Sequence, residues 1–494
     1  MESRVIVIDQ STSATKAMLF TEEGELIQRK NIVHRQYYPK AGWVEHDAKE
    51  ILDNVVKSIA DLVSDDAARK TCSYSLALTN QRETVVVWNK NTGEPIHHAI
   101  VWQCLRGSDI CRELIDKGYS DRVREKSGLM IDPYFSASGL KWILDHVSGA
   151  RVSAEKGELL MGTIDSWIIW NLTNGKDHVT DYTNASRTLL FNINRLEWDD
   201  ELLAWFDIPK KMMPKALPSD SVFGETTIHG LFNHPILIAG VLGDSHGALA
   251  GQMCFQKGSV KATYGTGTSV MMNVGEKRLP APKNIVTTIG ISALGKICYA
   301  FEGNIHCTGA TINWLQNQLG IISSSEEIES MLDSVDDNHG VFFVPAFAGL
   351  GAPWWVPDVK AAILGLSLGT DKRHVVRAAV ESIAYQIRDL VDAINRQNST
   401  PLKELCVDGG ATGNHFLMQF QADILHTTIH RLHMEEASAL GAVIMNGFAR
   451  NKWNSFEEVS ALGKRSDEIT PILGKEEGDF LYHGWLGAVQ QLMK

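Results

Sequence analysis

The apolar positions of the chain fall into short runs separated by small polar turns. Val5-Ile6-Val7-Ile8 is a continuous apolar run of strand length that stops at Asp9. The stretch Asp9-Gln10-Ser11-Thr12-Ser13 has the small polar character of a tight turn, and Ala17-Met18-Leu19-Phe20 resumes as a strand. Glu22-Glu23-Gly24 then predicts a second turn before Leu26. The second half repeats the pattern. Residues 236–242 are apolar and end at Gly243-Asp244, and residues 260–263 lead through Tyr264-Gly265-Thr266-Gly267-Thr268 into a strand over 269–272. Two halves that each open with a buried strand, an acidic residue and a Gly/Thr/Ser turn predict a duplicated α/β architecture. In open α/β sheets ligands bind outside the carboxyl ends of the strands, where these turns lie. Between the halves, residues 83–88 and 95–102 around Asn89-Lys90-Asn91-Thr92-Gly93 read as a hairpin. Residues 48–62 are spaced as a helix. So are residues 375–394, with Val375, Val376, Ala379, Ile383, Ile387 and Leu390 on one stripe. A domain seam is expected near 244–256, at the Gly/Ala-rich residues 247–251, dividing the chain into 1–246 and 247–494.

Composition narrows the class. A chain of 494 residues with 44% hydrophobic and 21% charged residues is an ordinary globular protein with room for more than one core. The net charge of −12 and the lack of a basic stretch argue against wrapping nucleic acid or an anionic membrane. A polyphosphate can still be held locally, because backbone amides and a bound metal supply positive field. Seven cysteines, an odd number with no Cys-x-x-Cys, argue against a disulfide framework and a zinc ribbon. Met1-Glu2-Ser3-Arg4 runs straight into a strand without the features of a signal peptide, and the longest apolar run, 236–243, is too short for a bilayer. A reducing cytoplasm is the expected location.

The candidate chemistry sits in the turns. A triphosphate needs several N–H donors converging on its oxygens without a side chain in the way. Gly265-Thr266-Gly267 and Gly409-Gly410-Ala411 permit such approach, and residues 11–13 add hydroxyls. Any one of these alone reads more simply as a hairpin turn. Neither G-x-x-x-x-G-K-[ST] nor a G-x-G-x-x-G between strand and helix occurs, so a nucleotide site must be of another type. Asp9, Asp244 and Asp408 each follow an apolar strand, where a carboxylate can hold Mg2+ through water or take a proton from a hydroxyl. A single such Asp is usually a turn cap. Three at equivalent places in a duplicated pattern point to function. Arg82-Glu83 at the start of a strand and Trp102 at the end of its neighbour offer the donor, acceptor and flat aromatic that a polyol requires. The spacing fits an exposed salt bridge and a core tryptophan equally well. His426, His430 and His433 are separated by Thr427-Thr428-Ile429, which favours a strand with 433 facing away, so a metal cluster is set aside. Cys104 and Cys111 are expected to be inert.

The order of Thr79-Asn80-Gln81-Arg82-Glu83-Thr84, Ile100-Val101-Trp102-Gln103-Cys104 and residues 128–136, 180–192, 264–267, 344–353, 362–381 and 407–411 is distinctive. Through it the chain resembles the FGGY family of carbohydrate kinases over nearly its whole length, and within it the branch that phosphorylates glycerol. The resemblance implies duplicated actin-like, ribonuclease H-like domains around an interdomain cleft. It assigns the acceptor site and part of the phosphate site to 1–246 and nucleotide binding to 247–494. It implies ATP-dependent transfer of the γ-phosphoryl group to a terminal hydroxyl, with ATP and Mg2+ required. Asp244 matches the general base, and Asp9 with Asp244 matches the acids that hold Mg2+. Thr12, Ser13, Lys16, Thr266, Gly309, Asn313, Gly410 and Asn414 match nucleotide contacts. Arg82, Glu83, Trp102, Tyr134, Asp244, Ser245 and Ser269 stand at the acceptor positions. Homodimers or homotetramers are common in that family and are expected by analogy. The competing reading, an actin-like ATP-binding protein or ATPase without an acceptor, has no use for Arg82, Glu83, Trp102 and Tyr134.

Some positions depart from that pattern. The glycerol-phosphorylating branch has a glutamine where this chain has Ser245, followed by His246, and a phenylalanine where it has Ser269. It has glycine in place of Ser11 and arginine in place of Lys16, and its first signature expects lysine where Gly139 stands. The two serines remove volume and add hydroxyls beside the acceptor. They predict an acceptor larger or more hydroxylated than glycerol (a tetritol, pentitol or ketose), with glycerol the weaker substrate. Lys16 keeps the charge but loses the planar fork of arginine. Residues 228–235 lack the basic glycine loop that binds a sugar bisphosphate inhibitor in some members, so that regulation is not expected.

Overall fold

The computed structural model describes residues 2–66, 71–356, 358–397, 402–432, 436–460, 462 and 465–494. The chain forms two compact units. One comprises Met1–Met253, Thr287–Tyr299 and Glu436–Leu462, the other Cys254–Val286, Ala300–Glu435 and Gly463–Lys494. A single cut at 246/247 does not separate them, because two later segments pack with the N-terminal unit.

The first unit is built on a six-stranded sheet in the order Val222–Thr226, Ile236–Gly243, Cys72–Asn80, Glu2–Gln10, Ala14–Thr21, Leu26–Val33. The apolar run Val5-Ile6-Val7-Ile8 lies inside it and is buried, as a strand covered on both faces must be. Glu2–Gln10 forms a hairpin with Ala14–Thr21 and runs parallel to Cys72–Asn80, which runs parallel to Ile236–Gly243. The helix Ala48–Ser64 covers this sheet. Asp47 starts the helix by accepting the N–H groups of Lys49 and Glu50, and Ile51, Val55, Ile59 and Leu62 at three- and four-residue spacing form its buried stripe.

Three expectations change here. Residues 236–243 do not open the second half; pairing with Cys72–Asn80 makes them a central strand of the first sheet. The boundary at Met253/Cys254 falls inside the expected 244–256, but not at the Gly/Ala-rich residues 247–251, which belong to the buried helix Asp244–Gly251. Their small size serves close packing, since a Cβ on Gly251 would lie 1.9 Å from the carbonyl oxygen of Ala437. The hairpin after residue 83 is shorter than expected, with strands Val85–Asn89 and Ala99–Ile100 paired at Val85 and Ile100.

The second unit repeats the theme with its own hairpin. Ser259–Tyr264 pairs antiparallel with Thr268–Gly275 and parallel with Glu404–Asp408. Ile429–Leu432 continues the sheet in parallel, and Arg465–Ile469 closes that side in the opposite direction. The helix Lys372–Gln397 buries Val376, Ala379, Ile383, Ile387 and Leu390, whereas Val375 at the edge of the expected stripe is half-buried. Among the described residues no helix is long and apolar enough to cross a membrane.

Candidate active site

Parallel register brings the first unit's chemistry to one end of its sheet. Asp9 aligns with Thr79, and Leu242 and Gly243 align with Thr79 and Asn80. The chain therefore leaves two neighbouring strands at the same level, once into Gln81-Arg82-Glu83-Thr84 and once into Asp244 at the head of the helix Asp244–Gly251. Arg82-Glu83 lies in the turn between Cys72–Asn80 and Val85–Asn89 and not at a strand start.

Arg82 is buried and its Nε stands 3.1 Å from Asp244 Oδ1, which also accepts the Ser245 N–H at 2.6 Å. The Asp244 side chain keeps 38% of its surface exposed, so it remains open to an incoming group. Gly243 permits this pairing, because a Cβ there would lie 2.6 Å from Arg82 Cγ. Glu83 adopts φ 64°, a left-handed conformation that an L-residue holds only when its surroundings dictate it. Those surroundings are the buried Arg187, whose Nε donates to Glu83 Oε1 at 2.6 Å, and Ser136, whose hydroxyl donates to the Glu83 carbonyl at 2.7 Å. Trp102 and Tyr134 meet edge to face with ring centroids 5.3 Å apart.

The hydroxyl turn lies beside this wall. Trp102 Nε1 donates to Thr12 Oγ1 at 2.9 Å, and Gln36 Nε2 donates to the Thr12 carbonyl at 2.6 Å. Ser13 next to it is exposed. Ser11, the residue that departs from glycine, folds its hydroxyl back onto the Ala14 carbonyl at 3.0 Å and so closes the turn itself. Opposite Asp9 in the hairpin stands Lys16, with its ammonium 4.0 Å from Asp9 Oδ2. The carboxyl of Asp9 is pushed up to about 7, chiefly by burial and further by the charges of Asp244 and Glu436, against the opposing pull of Lys16. Such a group gains by acquiring a cation. Two nearby carboxylates with only oxygen donors suit Mg2+, which usually takes one or two carboxylates and completes its shell with water and phosphate.

In the second unit, Thr266, Gly309, Asn313, Gly410 and Asn414 all line one cavity of about 540 Å3. The turn after Ser259–Tyr264 and the start of the helix Gly309–Asn317 are knitted together, with the Gly309 N–H donating to the Gly265 carbonyl at 3.0 Å. Gly409, at φ 101°, carries the chain past the Tyr264 carbonyl, which a Cβ would approach to 2.3 Å. Asn414 caps the helix His415–Leu425 by accepting the Leu417 N–H. Apolar Ile312, Val380, Ile383 and Leu417 and the acids Glu326 and Glu329 also line the cavity, giving it an apolar lining with a few polar groups. Ser269 also lies in this unit, where its hydroxyl and carbonyl lie 3.1 and 3.2 Å from Nζ of the buried Lys261.

Not every expectation is met. Asp9 and Asp244 share a sheet end of the first unit, and Asp408 ends the strand Glu404–Asp408 in the second. The strand expected from Thr427 begins only at Ile429, and His426 ends the preceding helix in a left-handed conformation. His430 sits between Glu404 and Glu468 at 3.4 and 3.6 Å, and His433 lies outside the described residues. Among the described residues no group of three or more His, Cys, Asp or Glu side chains is placed to hold a metal. Cys104 and Cys111 are buried, and burial raises the Cys111 thiol to about 12, so that it stays protonated. Arg187, Glu436 and Ser438 were not singled out. A lone arginine directly before Thr188-Leu189-Leu190-Phe191 was the signal available for the first of them.

Comparison with known proteins shows the family. Residues 4–251 match the N-terminal domain of the FGGY family of carbohydrate kinases, and residues 260–450 match its C-terminal domain. The chain is 47% identical over 487 residues to glycerol kinase 2 of Thermotoga maritima, covering 99% of this chain and 98% of that protein. It is 46% identical to the glycerol kinase of Bacillus subtilis, covering 100% and 99%. A crystal structure of Plasmodium falciparum glycerol kinase with ADP superposes with a TM-score of 0.95 at 33% identity, covering 100% of this chain and 99% of that one. A xylulose kinase from Lactobacillus acidophilus shares the fold, with a TM-score of 0.91 at 20% identity and 99% and 98% coverage.

Proposed function

The chain belongs to the FGGY family of carbohydrate kinases, and from that premise we propose that it phosphorylates a terminal hydroxyl of glycerol with ATP and Mg2+. The observation that carries this reading is the Arg82–Asp244 pair at the sheet end, with Glu83 held beside it and the wall of Trp102 and Tyr134. Arg82 donates to one hydroxyl, Glu83 accepts from another, and the two rings cover the carbon chain. Asp244 Oδ1 is tied to the Ser245 N–H and stands against Arg82 Nε, which leaves Oδ2 to take the proton of the attacking hydroxyl.

When bound, Mg·ATP supplies the electrophilic phosphoryl group and a divalent charge that offsets its anionic oxygens. Asp9 and Asp244 would hold the metal, and the raised carboxyl of Asp9 is the feature that fits it. Thr12, Ser13 and Lys16 would face the phosphates from the first unit. Thr266, Gly309, Asn313, Gly410 and Asn414 would hold the nucleoside part in the cavity of the second. Phosphoryl transfer asks for positioning and charge neutralisation more than for covalent help, and these residues provide both.

Ser245 and Ser269 favour a second reading, an acceptor larger or more hydroxylated than glycerol. The test common to both is ADP release measured over glycerol, tetritols, pentitols and pentuloses. Acceptor-dependent release with the highest kcat/KM on glycerol supports the first reading, and a maximum on a longer polyol or ketose replaces it with the second. Release that never depends on an acceptor refutes both. Asp244→Asn should abolish transfer and leave ADP binding largely intact.

A further inference from the structure

Glu436, directly before the helix Ala437–Ala449, and Ser438 in its first turn contribute two groups to the first unit's sheet end. Glu436 is 6% exposed, and both its carboxylate oxygens accept from Lys16 Nζ, at 3.0 and 2.9 Å. Arg29 Nη1 lies 3.4 Å from the same carboxylate. Two residues on, Ser438 Oγ donates to the Asp244 carbonyl at 2.9 Å. One short segment thus grips the lysine that faces Asp9 and the backbone of Asp244.

This segment has little freedom to move. Cβ atoms at Gly251 and Gly441 would lie 1.9 Å from the Ala437 carbonyl oxygen and 2.1 Å from the Gly247 carbonyl oxygen, so the two helices touch backbone to backbone. Asn446 on the same helix donates to the Ala239 carbonyl at 2.8 Å and accepts from Ser75 Oγ at 3.0 Å, which fixes the helix to the sheet. A lysine is the opposite case, a point charge on a flexible stem without the geometric fork of arginine. Where this chain has lysine in its phosphate-facing hairpin, something else must define where the charge points.

We propose that Glu436 is a positioning residue of the phosphoryl-transfer site, aiming the Lys16 ammonium at the space beside Asp9 from a rigid helix start. The inference rests on the kinase reading above. Glu436 neutralises Lys16 as well as holding it, so its removal leaves the attraction for phosphate in place and takes away the aim. The loss therefore falls on kcat and not on nucleotide affinity. A misplacement of about 1 Å in such a site can cost roughly a hundred-fold in rate.

The test uses Glu436→Gln, close to isosteric, in the full-length chain and in a Lys16→Met background. Turnover of the best acceptor and calorimetric binding of Mg·ADP are both measured. Glu436→Gln should lower kcat by roughly ten- to a hundred-fold. Mg·ADP should bind within about three-fold of wild type or more tightly, and in the Lys16→Met background the same change should cost less than about three-fold in kcat. Unchanged kcat, an equal loss in both backgrounds, or a loss of Mg·ADP binding that matches the loss of rate would overturn the proposal. If Glu436→Gln does not fold, Glu436→Asp, which keeps the charge and retracts it by one methylene, should show the same split at smaller size. A wild-type chain without acceptor-dependent turnover sinks the kinase reading itself, whereas an active wild type with an indifferent Glu436 variant sinks only this inference.

Discussion

Arg187→Met separates what holds the proposed acceptor site together from what would bind the acceptor. Arg187 and Glu83 are 1% and 2% exposed, and Nε donates to Oε1 at 2.6 Å. Glu83 meanwhile holds a left-handed backbone that costs about 1–3 kcal/mol and persists only if its side chain and carbonyl are anchored. Removing one partner of a buried ion pair weakens the compensation of the charge that stays, at a cost of up to about 3–5 kcal/mol. For a unit of this size that is a fall in the melting transition of about 10 °C. Adding Glu83→Gln removes the buried charge that lost Arg187, so the double variant should recover at least half of the lost stability. It should not recover acceptor affinity, because the anionic acceptor for a substrate hydroxyl is gone. Thermal unfolding followed by fluorescence and acceptor KM from coupled ADP release measure the two effects separately. A single variant that melts within about 3 °C of wild type, or a double variant no more stable than Arg187→Met, would refute the claim that this ion pair anchors Glu83.

Gly243→Ala places a methyl group 2.6 Å from Arg82 Cγ and 2.7 Å from its Cδ without backbone strain, since φ at Gly243 is −66°. Arg82 must move off Asp244, and acceptor kcat/KM should fall by about ten-fold or more while the fold survives at a cost of about 1–3 kcal/mol; kcat/KM within two-fold of wild type would show that Arg82 adjusts freely. His46 is fully buried, and burial followed by the proximity of His34 lowers its imidazole from 6.5 to about 3. Its Nε2 faces Gln36 Oε1 at 2.9 Å and its Nδ1 faces Gln81 Nε2 at 3.3 Å, an arrangement that demands the neutral ring with its proton on Nε2. A depressed folded-state value means that stability is complete above pH 6.5 and is lost as pH falls, by about 1.4 kcal/mol from this group at pH 5.5. Unfolding free energies from urea titrations at pH 7.5 and 5.5 should differ by that much more in wild type than in His46→Gln, and equal differences would exclude His46 as the titrating group.

What could be read from the sequence, and what could not, divides along a physical line. Asp9 and the hydroxyls of residues 11–13 fall in one hairpin turn, and Arg82 and Glu83 share another, so local spacing and residue type were enough to single them out, whereas Lys16 was marked only by the family resemblance. The sheet to which residues 236–243 belong was not readable, because an apolar run states that a strand is buried and not which neighbour it pairs with. Parallel pairing with Cys72–Asn80 settled that, and with it the approach of Asp244 to Asp9. Glu436 lies 420 residues from Lys16, and Ser438 lies 194 from Asp244, in a stretch whose composition is that of any helix start. Nothing nearby in the chain marks them. Arg187 is intermediate, since its partner is 104 residues away, but a charge placed directly before an apolar run must be paired if it is buried. Buried charge beside an apolar run is therefore the one local sign of a residue that supports a site from elsewhere in the fold. Glu436 escaped even that sign, because it is followed by Ala437-Ser438-Ala439, whose small side chains advertise no core until the glycine-lined helix contact buries them.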